Sequence, residues 1–178
     1  MSSNILIRPE TEADLEGIDS VVEAAFRRRD VVDLLHALRG SSAWRDLSFV
    51  AVQEQQVIGH VAYTRGWLDA PLRLVEALVL SPMSVHPDFQ RQGVGTRLVT
   101  ESVRTLDAPL VFLEGNPAFY SRAGFVGAGP LGFIRPSVRI PEPAFQVLRL
   151  RHTEPELTGQ LVYPDAFWEY DSVGLRRG

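Results

Sequence analysis

The sequence predicts a single α/β domain over residues 1–178, with a mixed, mostly antiparallel central sheet, a splayed parallel strand pair and flanking helices. Three observations predict it. Leu47 to Val52 and Val57 to Tyr63 are β-branched or aromatic runs around the polar stretch Gln53 to Gln56, the pattern of an antiparallel hairpin. The run EALVLSPMSV (Glu76 to Val85), the helical spacing of Leu98, Val99, Val103 and Leu106, and the run PLVFL (Pro109 to Leu113) follow one another as strand, helix and strand, which suggests a parallel crossover. Pro82 lies inside the first of those strands and cannot donate to a ladder, so pairing must be interrupted beside it and the sheet opened.

The remaining elements follow from local signals. Asn4 to Arg8 alternates as a short strand, and Thr11-Glu12-Ala13-Asp14 is a capping-box pattern ahead of Leu15, Ile18, Val21, Val22 and Ala25 at helical spacing. Asp30 suits the cap of a second helix with Val31, Leu34, Leu35 and Leu38 on one face, ending at Gly40. Asn116-Pro117 before AFYSRAG signals a compact helix: Asn caps, Pro is favoured in the first turn, and Gly124 closes it in a left-handed conformation. Phe145 to Leu150 alternates as a late strand, and the tail to Gly178 is rich in aromatics and turn residues.

Composition narrows the chemistry. With 45% hydrophobic and 22% charged residues the chain has the profile of a folded protein. The absence of cysteine excludes disulfides, Cys-based metal sites and a thiol nucleophile. All 18 basic residues are arginine, so a Schiff-base lysine and a P-loop lysine are excluded as well. The net charge of −4 argues against nucleic acid as a partner. His36, His60, His86 and His152 show no metal-ligand spacing, so no metal is expected. No window reaches the roughly 18 apolar residues of a membrane span, so a cytoplasmic protein with no membrane partner is expected. Arg27-Arg28-Arg29 reads as a solvated helix end or a rim beside a substrate.

The segment VHPDFQRQGVGTRLV, Val85 to Val99, sets a strand end, a turn and a helix start in succession, with Gly93 and Gly95 at the join. The backbone N–H groups of Arg91 to Thr96 and the helix dipole then converge on one spot, which suits a phosphate. A strand-to-helix turn can also use two glycines for geometry alone. Without a lysine this is no P-loop, and GVGTRL lacks the third glycine of the dinucleotide fingerprint. GAGPLG, Gly127 to Gly132, matches that fingerprint literally, but its proline and the lack of a periodic helix after it make it a loop.

VHPDFQRQGVGTRLV resembles the acyl-CoA-binding motif of the GNAT superfamily of N-acyltransferases, Q/R-x-x-G-x-G/A, with Gln90, Gly93 and Gly95 at the matching positions. EGNPAFYSRAGF, Glu114 to Phe125, is similar to the family's second motif, an Asn before a short helix that bears a Tyr and closes with Gly-Phe. The resemblance is strongest over 76–125. The tail over 130–178 is less distinctive and looks like a bacterial subgroup of small acetyltransferases. The resemblance implies a GNAT-like fold and acetyl-CoA as cosubstrate. It implies that the cofactor pyrophosphate lies on the amides of Arg91, Gln92, Gly93, Val94, Gly95 and Thr96, and that the pantetheine arm pairs with Met83, Ser84 and Val85. It further implies that Asn116 contacts that arm and that Tyr120 places its phenol near the sulfur. Asn116 has the alternative role of a helix cap, and Tyr120 that of a core aromatic.

The reaction so implied is transfer of an acetyl group to a primary amine of a small molecule or peptide by direct attack on the thioester. An alkyl amine of pKa near 10.4 is only about one part in a thousand neutral near pH 7.4, a penalty of roughly 4 kcal/mol, so a base or a water path is required. A backbone donor to the developing oxyanion contributes about 3–4 kcal/mol, so positioning near Met83 to Val85 matters as much as any side chain. Glu114 leads as base, with Glu76, His60 and water as alternatives. His60, inside an apolar strand, also reads as a hydrogen-bonded core residue, and His86 as structural. The rival to an enzyme is a non-catalytic acyl-CoA-binding or sensing module. Tyr163, Phe167, Trp168 and Tyr170 suit either a homodimer contact or the core.

Overall fold

The computed structural model describes residues 4–150 and 153–175, and His152 lies outside them. The chain forms two compact units, one holding the chain up to Tyr63 with Ser81–Leu106, the other holding Thr64–Leu80 with the chain from Asp107 onward.

In the first unit β1 (Leu6–Pro9) leads through a 3₁₀ turn, Glu12–Asp14, into α1 (Leu15–Phe26). The expected capping box forms: Thr11 donates its N–H and its hydroxyl to Asp14 at 2.7 and 2.8 Å, and Arg8 closes a fork on the same carboxylate at 2.7 and 2.8 Å. The Arg8 guanidinium and these Thr11 donors hold the Asp14 carboxyl well below the usual carboxylate range. Next, α2 (Arg29–Arg39) starts ahead of the expected cap, because Arg28 takes the extended capping conformation and Asp30 pairs with it from inside the first turn. The apolar faces of the two helices bury Ile18, Val21, Val22, Val31, Val32 and Leu35 in one cluster with Val50, Val57 and Ala62.

Those last residues belong to β2 (Trp44–Gln53) and β3 (Gln56–Ala70), a hairpin longer than the sequence suggests. Its turn is made by Glu54 and Gln55, both at positive φ (48° and 67°), a conformation usually given to Asn-Gly, which is why only the polar stretch signals it. Then β4 (Arg73–Val85), of which Ser81–Val85 belongs to this unit, runs on through Pro82. Within this unit β1 pairs antiparallel with β2 and the order runs β1-β2-β3-β4. Its third helix, α3 (Val94–Val103), packs on β1 and β2, and Ser102 Oγ meets the Tyr63 phenol of β3 at 2.7 Å.

The second unit adds β5 (Leu110–Glu114), α4 (Pro117–Tyr120), β6 (Val126–Gly127), β7 (Phe133–Ile134), β8 (Phe145–Arg149), β9 (Gly159–Val162) and α5 (Asp165–Glu169). Strand β5 runs parallel to β4 through two pairs, Leu78–Val111 and Val79–Phe112, and antiparallel to β8 along its whole length, Leu110–Arg149 to Glu114–Phe145. Outside β8 lies β6, while β9 pairs antiparallel with β3 and parallel with β7. The sheet is therefore mixed and mostly antiparallel, as expected, with β7–β9 as a second short parallel pair. Phe112 stacks on Phe145 at 5.7 Å and meets Phe133 edge-on at 5.1 Å, and with Phe125, Leu161 and Phe167 it forms this unit's core. Of the tail aromatics, Tyr163 and Phe167 are core residues and Trp168 is exposed. GAGPLG is a loop with a 3₁₀ turn, Gly129–Leu131.

Candidate active site

In the first unit, β4 ends at Val85 and a 3₁₀ turn, Pro87–Phe89, with His86 as its cap, carries the chain to α3. Gln90 turns back to donate to the Val85 carbonyl at 2.9 Å, and Gln92 donates to Asp88 O at 2.9 Å, so both glutamines brace the turn. Arg91 (φ 61°) and Gly93 (φ 83°) are both left-handed, and together they swing the chain onto the helix axis. The first helical bond runs from Arg97 N–H to Gly93 O at 3.0 Å, so the amides of Val94, Gly95 and Thr96 precede the ladder. A Cβ placed on Gly93 would meet no protein atom within 4 Å: its absence is demanded by φ, and the space before it is open. Gly95, by contrast, is buried in the first turn of α3.

Upstream of this turn Met83 and Val85 are half-buried, whereas Ser84 is buried with its Oγ unpartnered among the described residues. A turn with a left-handed glycine, open space before it and a helix start behind it matches what a diphosphate needs.

The second unit holds the other candidate residues. Asn116 caps α4, its Oδ1 accepting from Ala118 N–H at 3.0 Å, so the cap role is real and leaves the amide Nδ2 outside it. Gly124 closes the segment at φ 91°, as expected. The Tyr120 ring stands edge-on between Phe119 (4.8 Å) and Phe125 (5.9 Å), and burial pushes its phenol up to about 12, so it stays protonated in the working range. Sequence reasoning passed over Gly115. A Cβ there would lie 2.5 Å from Tyr120 Cε2, so this glycine makes room for the ring. Gly115→Ala is expected to dislodge the Tyr120 ring, read as a changed near-ultraviolet circular dichroism spectrum with far-ultraviolet signal retained.

Glu114 ends β5 half-buried. Both carboxylate oxygens accept from the Gly174 N–H, Oε2 at 3.0 Å and Oε1 at 3.3 Å. Burial drives its carboxyl up to about 7, against the opposing pull of the Gly174 hydrogen bond and the Arg139 charge. The same carboxylate, with burial as the larger cause, raises the neighbouring Tyr163 phenol. Such a carboxyl exchanges protons near neutrality.

Of the alternative bases, His60 is fully buried: its Nε2 meets Ser48 Oγ at 2.8 Å and lies 3.6 Å from Glu10 Oε2, with burial lowering its proton affinity. Burial raises the Glu10 carboxyl, but hydrogen bonds from His60, Arg39 and Ser48 outweigh it and bring it to about 2. This is the hydrogen-bonded core histidine that an apolar strand suggests. Glu76 is exposed on β4. His86 Nδ1 accepts from Asp88 N–H at 3.3 Å, a structural role. No cluster of metal-ligating side chains occurs among the described residues, and no helix among them is long and apolar enough to cross a membrane.

Residues 44–127 match the model of the acetyltransferase (GNAT) domain. Over 140 residues the chain is 34% identical to the Uncharacterized N-acetyltransferase YjhQ of Escherichia coli K12, covering 74% of this chain and 75% of that one. The chain belongs to the GNAT family of N-acetyltransferases. The YhbS N-acetyltransferase of the same bacterium is 34% identical over 153 residues, 82% of this chain and 87% of its own. The crystal structure of YhbS in complex with CoA superposes with a TM-score of 0.82 at 29% identity, covering 94% and 93% of the two chains. A GNAT acetyltransferase from Brucella melitensis in complex with acetyl-CoA gives 0.73 at 29% identity, over 93% of this chain and 99% of that one. This GNAT chain is therefore an N-acetyltransferase by family, and its fold is that of its relatives.

Proposed function

We propose that this GNAT protein binds acetyl-CoA and transfers its acetyl group to a primary amine of a small molecule or peptide by direct attack. The observation that supports the reading is the turn at Arg91–Gly93, whose two left-handed residues lead into α3 beside open space at Gly93, with the amides of Val94, Gly95 and Thr96 ahead of the helical ladder. Acetyl-CoA supplies an activated acyl thioester. In this reading Gln90 to Thr96 hold its pyrophosphate, Met83, Ser84 and Val85 offer main-chain partners to its arm, and Asn116 Nδ2 donates to that arm. CoA bound to the E. coli relative YhbS and acetyl-CoA bound to the Brucella melitensis relative support that choice of cosubstrate. Glu114 takes the proton that the amine must lose, and Tyr120 returns one to the departing sulfur. The absence of cysteine leaves no thiol on this chain to carry the acyl group. The acceptor is an amine whose cationic form suits a net charge of −4, and the enzyme works in the cytoplasm.

The test is release of free thiol from acetyl-CoA by purified protein across a panel of primary amines. Amine-dependent release above buffer supports the reading; binding of CoA with no release under any amine makes the protein a sensing module instead. Tyr120→Phe is expected to lower kcat about tenfold, since a thiol of pKa about 8.5 needs little help to accept a proton. CoA affinity measured by calorimetry stays at the wild-type value, and equal kcat in the variant removes Tyr120 from the chemistry.

A further inference from the structure

The chain beyond α5 folds back on itself through Arg139. The Arg139 guanidinium donates to the Val173 carbonyl from Nε at 3.1 Å and from Nη2 at 2.9 Å, and Leu175 N–H donates to the Arg139 carbonyl at 3.1 Å. Val173 is 1% exposed, so its side chain anchors the segment in the core. Between these anchors lies Gly174, whose N–H is the donor on the Glu114 carboxylate. Gly174 has φ 66°, and a Cβ there would sit 2.5 Å from the Arg139 carbonyl carbon and 2.6 Å from its oxygen. Those are main-chain atoms that cannot step aside, so only glycine fits.

We propose that Val173–Leu175 is a strap that positions the Glu114 carboxylate for proton abstraction from the acceptor amine, with Gly174 as the positioning residue and Arg139 as its anchor. This rests on Glu114 being the base. One main-chain donor shared by both oxygens fixes the plane of the carboxylate and leaves lone pairs for an incoming N–H. The charged and titratable groups that face it are Arg139 and Tyr163, and Asp171 lies 3.8 Å from the Arg139 guanidinium. The strap is thus a short chain segment, remote in sequence from both family motifs, that sets the orientation of a group at the end of β5.

The experiment follows the Glu114 carboxyl directly, by carbon-13 NMR of glutamate-labelled full-length protein, with Glu114→Gln identifying the signal. Gly174→Ala is expected to displace the titration midpoint downward as the carboxyl becomes hydrated, because burial is the largest influence on it. Arg139→Lys, which keeps the positive charge that bears on Glu114 but loses the two-pronged clamp on Val173, guards against a Gly174 variant that fails to fold and is expected to shift the midpoint downward too. In amine-dependent thiol release both variants should lose kcat tenfold or more with an unchanged KM for acetyl-CoA. A midpoint and kcat equal to wild type in both variants overturn the strap. Full turnover in Glu114→Gln overturns instead the assignment of the base, so the two failures are distinguishable.

Discussion

Glu114→Gln is expected to lower kcat by two to four orders of magnitude, the usual range for removal of a general base, with CoA affinity unchanged. The wild-type profile should rise with pH through an apparent midpoint near 7, where the carboxyl loses its proton, and that limb should vanish in the variant. The sign matters for stability. A carboxyl whose folded value is raised binds its proton more tightly in the native state, so its stabilising contribution is full below the unfolded value of 4.5 and is lost as pH rises through about 7. The glutamine variant never ionises and should therefore melt at or above the wild-type temperature at pH 8. Lost turnover in a protein at least as stable as its parent cannot be attributed to unfolding. A variant with the wild-type pH profile would move the base elsewhere, to Glu76 or to water.

The fold was legible where the signal is local. The capping box at Thr11, the Asn116-Pro117 start and the Gly124 stop are each read from residues within one turn of each other, and each forms as expected. Asp30 has the spacing of a cap, yet it lies inside the first turn, where the neighbouring Arg28 guanidinium offers a stronger partner than the helix amides. At Pro82 the strand itself continues, while its parallel ladder with β5 holds two residue pairs and ends at Val79, short of the proline that cannot donate to it. The hairpin turn at Glu54–Gln55 and the late elements β9 and α5 carry weak signals, since four-residue and five-residue elements draw their stability from pairing and burial rather than propensity. The contact between Gly174 and Glu114 spans 60 residues, and nothing local encodes it. Gly115 and Gly174 both matter through what a side chain would strike, which a sequence read alone does not display.

Gly93→Val is expected to cost at least tenfold in CoA affinity while leaving the fold in place. The residue sits at φ 83°, where a β-branched side chain is strained by about 1–2 kcal/mol or more. For a chain of this size that corresponds to a fall of roughly 2–4 °C in melting temperature per kcal/mol, well short of unfolding. A Cβ here strikes no protein atom, so the loss must arise either from a turn that no longer holds its left-handed shape or from a side chain occupying the space before the amides. Gly93→Asn separates these, because Asn tolerates the left-handed region and still adds bulk. If calorimetry with CoA finds Val weak and Asn near wild type, the conformation that aims the amides is the determinant; if both are weak, the open space itself is needed. Should both bind as wild type does, the diphosphate does not sit at the start of α3, and the reading of residues 90–96 as its cradle fails.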